Sequence, residues 1–77
     1  MTTRDFVKVI NGLRDDPKRP LVKVGMSQET WNDLKIRMAI YQPKRESDEN
    51  RLLGVPVEID EALAYGEMNY VSAAGTI

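Results

Sequence analysis

The stretch Arg51 to Asp60, RLLGVPVEID, constrains the fold most, because no other segment alternates for long enough to give a strand with one committed inner side. Leu53, Val55, Val57 and Ile59 share one side at a period of two, and Gly54, Glu58 and Asp60 share the other. Such a strand lines a core with one side and meets water or a partner with the other, so the rest of the chain has to cover its apolar side. The alternation predicts a single strand over 51–59, central to the architecture.

The covering elements can be read on both flanks. Thr2 or Thr3, followed by Asp5, supplies a cap and a negative charge for a first helix, in which Phe6, Val9, Ile10 and Leu13 fall at i, i+3, i+4 and i+7. Pro17 and Pro20 disfavour helical backbone at the residues before them, so this helix stops near Asp15. Residues 21–26 form a short strand, with Val22, Val24 and Met26 on one side and Lys23 on the other. Ser27 is placed to cap a second helix carrying Trp31, Leu34, Met38 and Tyr41, its apolar stripe widened by Ile36, Ala39 and Ile40.

Residues 42–50 hold no apolar side chain and read as a solvated polar loop. After the 51–59 strand, Asp60 caps one turn that Gly66 closes in a left-handed conformation. Residues 67–72 alternate again as a third strand with Met68 and Tyr70 on one side, and 73–77 form a flexible small-residue tail. The order predicts one α/β (α+β) domain over residues 1–77, a small mixed three-stranded sheet with two helices packed on one face. The link through the Trp31 helix is long enough for a right-handed crossover, so the two strands that it joins run parallel. Phe6, Ile10, Val24, Trp31, Leu34, Val55, Val57 and Ile59 are the expected core.

Composition narrows the function. With 77 residues the core is small, and with no Cys and no His there is no disulfide, thiolate, imidazole-dependent triad or usual zinc ligand set to draw on. Association with another chain, including a homo-oligomer, is the support left open. Acids and bases are interspersed at a formal net charge of -1, which does not favour nucleic acid or anionic lipid, and no stretch approaches the length that spans a bilayer.

Glu58, Asp60 and Glu61 form the densest carboxylate cluster, readable as acid/base groups or a hard-cation site, but better explained as solvated charge and a cap. Gly54 and Pro56 admit either the close approach of a partner backbone or, more simply, an edge strand that does not need the proline amide. Lys18, Arg19 and Lys23, extended by Lys35, Arg37, Lys44 and Arg45, could meet phosphates, yet the acids match them and the aromatics sit at core spacing. Trp31 and Tyr41 fit the core, which leaves Tyr65 and Tyr70, with Glu58 and Asp60, as candidate contacts for a partner. No catalytic residue, metal or cofactor is expected.

Val24-Gly25-Met26-Ser27, then Thr30-Trp31 and Leu34, a polar loop, Leu52-Leu53-Gly54-Val55-Pro56-Val57, Ala62-Leu63 and Gly66-Glu67 form a series that resembles the axial domain of tailed-phage major capsid proteins. The resemblance spans roughly residues 20 to 71 and implies a shared small fold in a phage setting. With the chemistry excluded above, it points to a non-enzymatic module that binds itself, another phage protein or a host protein, in the host cytoplasm or the virion. A virion or assembly accessory is the first expectation. An inhibitor that blocks a bacterial enzyme or defence complex is the alternative.

Overall fold

Thr2 starts α1 (Thr3–Arg14): its hydroxyl accepts from the Asp5 amide while the Asp5 carboxylate accepts from the Thr2 amide, a reciprocal capping box. The computed structural model that shows this describes residues 2–76. Ile10 is fully buried, with Phe6, Val7 and Leu13 packed beside it, whereas Val9 is largely exposed. The apolar stripe is thus rotated toward Val7, away from the side that Val9 occupies. Asp15 ends the helix as expected, and the Asp16 carboxylate accepts from the amides of Lys18 and Arg19 at 2.8 and 3.0 Å. Those amides, Arg19 foremost, hold the Asp16 carboxyl below the ordinary carboxylate range.

The chain continues through β1 (Leu21–Met26), α2 (Gln28–Met38), α3 (Lys44–Asp48), β2 (Arg51–Leu52), β3 (Val55–Ile59), β4 (Asn69–Ser72) and β5 (Gly75–Thr76). The strands lie in the order β2-β3-β1-β4-β5. The mixed α/β class stands, but with five strands in place of three and a third, short helix. β1 and β3 are parallel across the α2 crossover, Val24 opposite Val57, and β4 is antiparallel on the other side of β1, Tyr70 opposite Val24. β1 is therefore central, not the later segment.

That later segment is not one strand. Leu53 and Gly54 have φ of 52° and 86°, the left-handed pair that makes the tightest hairpin turn. The chain folds back so that Leu52 faces Val55 and Arg51 faces Pro56. Leu52 becomes fully buried and Leu53 rides half-buried on the turn; Val55 and Val57 face inward as expected. A second correction falls on β1, where a bulge between Leu21 and Lys23 shifts the phase. Leu21 is buried and Val22 is exposed, the reverse of a simple alternation.

Trp31, Leu34 and Met38 from α2 and Ile10 from α1 close over Val24, Met26, Val55 and Val57, so both longer helices serve one face of the sheet. Of the expected core, Ile10, Val24, Trp31, Leu34, Val55 and Val57 are buried, and Phe6 and Ile59 pack at its margin. Ser27 caps α2 by accepting from the Thr30 amide, as its position predicts. Ile36, Ala39 and Ile40, read as part of the inner stripe, are exposed. No helix among the described residues is long and apolar enough to cross a membrane.

Residues 42–50, expected to be a solvated loop, contain α3 and a buried side chain, Gln42, that makes three hydrogen bonds. Gln42 is buried: its Nε2 donates to Ser47 Oγ at 2.8 Å and to the Arg51 carbonyl at 2.9 Å, and its Oε1 accepts from the Leu53 amide at 2.7 Å. Asn50 accepts from the Trp31 indole at 3.0 Å through its side chain and from the Val57 amide at 2.7 Å through its carbonyl. The expected tail is also partly structured. Residues 75–76 pair with β4, and the Ser72 hydroxyl donates to the Gly75 carbonyl at 2.9 Å; Ile77 lies outside the described residues.

Gln42→Leu keeps the bulk and strands the Leu53 amide and the Arg51 carbonyl, and should destabilise the fold by about 2 to 4 kcal/mol in urea unfolding. Ser47→Ala, which removes one neutral bond, should cost about 1 kcal/mol. The bonds to Asp16 favour its ionised form, so their contribution is present above the ordinary aspartate range and is lost as pH falls through the lower folded value. Asp16→Ala should therefore lower stability near neutral pH and leave it unchanged in strong acid, as read by thermal unfolding across a pH series.

Candidate protein-binding site

The residues singled out in the sequence do not converge. Glu58 lies on the open face of the sheet, where it pairs with Lys23 at 2.7 Å, both side chains about half exposed. Asp60 borders the same face, and its carboxylate accepts from the Ala62 amide at 2.9 Å while its amide donates to the Met26 carbonyl at 2.9 Å. With Gly25, Asn69 and Val71 they rim a shallow depression of about 270 Å³. An ion pair and a turn cap account for both carboxylates, and Glu61 accepts from the Gln28 amide at the start of α2.

The two tyrosines part company. Tyr65 is exposed and its hydroxyl donates to Asp33 of α2, a bond that raises the phenol above its ordinary pKa. Gly66, left-handed as expected, donates its amide to Thr30 Oγ1 at 3.0 Å, so the 60–66 turn is strapped to the first turns of α2. Tyr70 projects to the inner face and packs against the core, and burial pushes its phenol pKa up. It is not the exposed contact that its place near the end of the chain suggests.

The largest apolar exposure falls where the sequence placed core. Trp31, Leu34 and Met38 define the inner side of α2, and Ile36 and Ile40 lie roughly half a turn away from it. Ile36 is 77% and Ile40 84% exposed. Residues 39–41 continue the coil past α2, the amides of Ala39 and Tyr41 donating to the carbonyls of Ile36 and Met38, which keeps the two isoleucines one turn apart on one side. Tyr41, at 37% exposed, also escapes the core.

Beside them runs a cleft of about 250 Å³ between the end of α2 and α3, lined by Lys35, Ile36, Ala39, Lys44, Ser47 and Asp48. α3 is held in place from beneath by the Gln42–Ser47 bond, so the same buried carboxamide that anchors the hairpin also sets one wall of the cleft. Two branched aliphatic side chains on one helix face, next to a groove with charged walls, form the kind of surface that buries against another protein. The sequence carried one signal of it. Five apolar side chains at 31, 34, 36, 38 and 40 make a stripe too broad for one packed side of a helix.

No family model, curated protein or solved structure matches the chain. Its own surface is what bears on function.

If Ile36 and Ile40 belong to a surface and not to the core, the double variant Ile36→Ser/Ile40→Ser should unfold within about 1 kcal/mol of the parent. Leu34→Ala, on the buried side of the same helix, should cost about 2 to 5 kcal/mol. Urea midpoints of the two variants check the assignment.

Proposed function

We propose that this chain is a small phage-encoded, non-enzymatic protein-binding module, a virion or assembly accessory related in fold to the axial domain of the capsid proteins that it resembles. The observation that carries the binding role is the exposure of Ile36 and Ile40 beside the α2–α3 cleft. Two largely exposed branched aliphatics, one helical turn apart, lie outside the core and gain most by being covered.

The non-enzymatic part is supported by the engagement of the carboxylates: Glu58 is paired with Lys23, and Asp60 and Glu61 each accept from a backbone amide. The phage setting is supported by the likeness in sequence, whose residues occupy structurally demanding places. Met26-Ser27 ends β1 and caps α2, Thr30 and Trp31 are buried in its first turns, Leu53-Gly54 makes the hairpin, and Gly66 makes the next turn.

A tagged chain recovered from infected cells, with bound proteins identified by mass spectrometry, tests the reading. Phage structural proteins should be captured by the parent and lost with Ile36→Ser/Ile40→Ser. A host enzyme or defence complex captured through the same surface would assign it to inhibition instead. Partners retained equally by both forms would remove the isoleucines from the function.

A further inference from the structure

We infer that residues 60–67 form a latched strap that opens away from α2 while the rest of the domain stays folded, and that its opening controls access to the cavity between them. It uses none of the residues of the isoleucine surface and goes beyond the proposed function. The segment joins β3 to β4 without a helix or strand of its own. Its apolar side chains, Leu63 and Tyr65 included, are not among the core residues, whereas Ile59 before it and Met68 after it pack against the core and fix its two ends. Internally the strap is bonded into one piece: the Ala62 amide donates to the Asp60 carboxylate at 2.9 Å, the Ala64 amide to the Glu67 carboxylate at 3.0 Å and the Glu67 amide to the Ala64 carbonyl at 3.0 Å.

Polar contacts hold it to α2. The Gln28 amide donates to the Glu61 carboxylate at 2.9 Å, the Gly66 amide to Thr30 Oγ1 at 3.0 Å, and the Tyr65 hydroxyl to the Asp33 carboxylate. The first and the last of these are exposed, so water competes for both partners of each. A segment held by solvated hydrogen bonds, with little apolar area to lose, opens at a far lower free energy than the core around Trp31. Between strap and α2 lies a cavity of about 240 Å³, where Tyr65 and Gly66 meet Leu34, Arg37 and Met68. Because the strap supplies part of the wall, its release widens the cavity and bares Met68, which is half-buried while the strap is closed. The Tyr65–Asp33 bond is the latch that joins two exposed side chains, and it can be removed without disturbing the core.

Native-state hydrogen exchange on the full chain, read residue by residue over low urea concentrations, tests this. The amides of Gln28 and Gly66 are bonded across the contact and report its opening, and the Val57 amide, bonded to the Asn50 carbonyl, reports the core. Gln28 and Gly66 should be protected yet exchange by an opening that urea barely changes, while Val57 exchanges more slowly and responds to urea. Tyr65→Phe should speed exchange at Gln28 and Gly66 about three- to tenfold and leave Val57 unchanged. Asp33→Ala should do the same, and the double variant should add nothing further, since both act through one bond. Dilute hydrogen peroxide, followed by peptide mapping, should oxidise Met68 faster in these variants, with the fully buried Met26 and Met38 unaffected. Gln28 and Gly66 exchanging only with Val57, exchanging without any protection, or responding to the variants no more than Val57 does would overturn the strap. Met68 oxidised at the parental rate in every variant would overturn its control of the cavity.

Discussion

One buried carboxamide ties α3 to the β2–β3 hairpin. Gln42 satisfies a carbonyl before the hairpin turn, an amide within it and a hydroxyl on α3; the bond to the hydroxyl is buried and the other two are partly buried. A buried amide side chain with its donors and acceptor used is worth keeping; the same side chain with partners missing is a liability. The left-handed turn at Leu53-Gly54 depends on this support. Leucine disfavours positive φ, and here its backbone is fixed from both sides, the amide by Gln42 and the carbonyl by Arg14 Nη1 at 2.8 Å. Once the turn is set, Leu52 enters the core opposite Val55, and β3 pairs with β1 at the register that buries Val57.

The parts of this design that were legible in the sequence are those written in apolar periodicity. The capped α2, the parallel β1–β3 pair joined by a crossover, the inward Val55 and Val57 and the stop at Asp15 all follow from spacing and caps. The hairpin was hidden because Leu53, Val55, Val57 and Ile59 keep perfect alternation through a reversal of the chain. Nothing in a leucine announces positive φ; only Gly54 after it hints at a turn. Segment 42–50 hides its structure for the opposite reason. Its structure rests on the polar side chains of Gln42, Ser47 and Asn50, and burial of a fully bonded amide leaves no hydrophobic trace in sequence.

The surface followed the same logic. Ile36 and Ile40 look like core by residue type, and only the direction fixed by Trp31, Leu34 and Met38 shows that they face out. Trp31 also explains why the domain does not need them. Its fully buried indole spans the interior and reaches Asn50, so the space over the sheet is filled by one ring and a few aliphatics. The open sheet face offers no comparable anchor, since Lys23 and Glu58 neutralise each other across it.

The size of the isoleucine surface limits what it can do alone. Covering two exposed aliphatic side chains contributes roughly 3 to 6 kcal/mol before the losses of rotational freedom and side-chain order that association imposes. One such contact gives weak, reversible binding, and charges on its rim act more on encounter rate and orientation than on the depth of the well. Useful occupancy then requires either further contacts outside the patch or many patches engaged together. Engaging many patches together raises occupancy only where copies of this chain are themselves linked, because a single patch on one chain gains nothing from a partner that repeats. A lone soluble target meets only the first, and would have to draw on the open sheet face or the 60–66 turn as well, surfaces on which the polar side chains Glu58, Asp60 and Glu61 are already engaged. The proposed phage partner and the alternative host target both therefore require contacts beyond the two isoleucines.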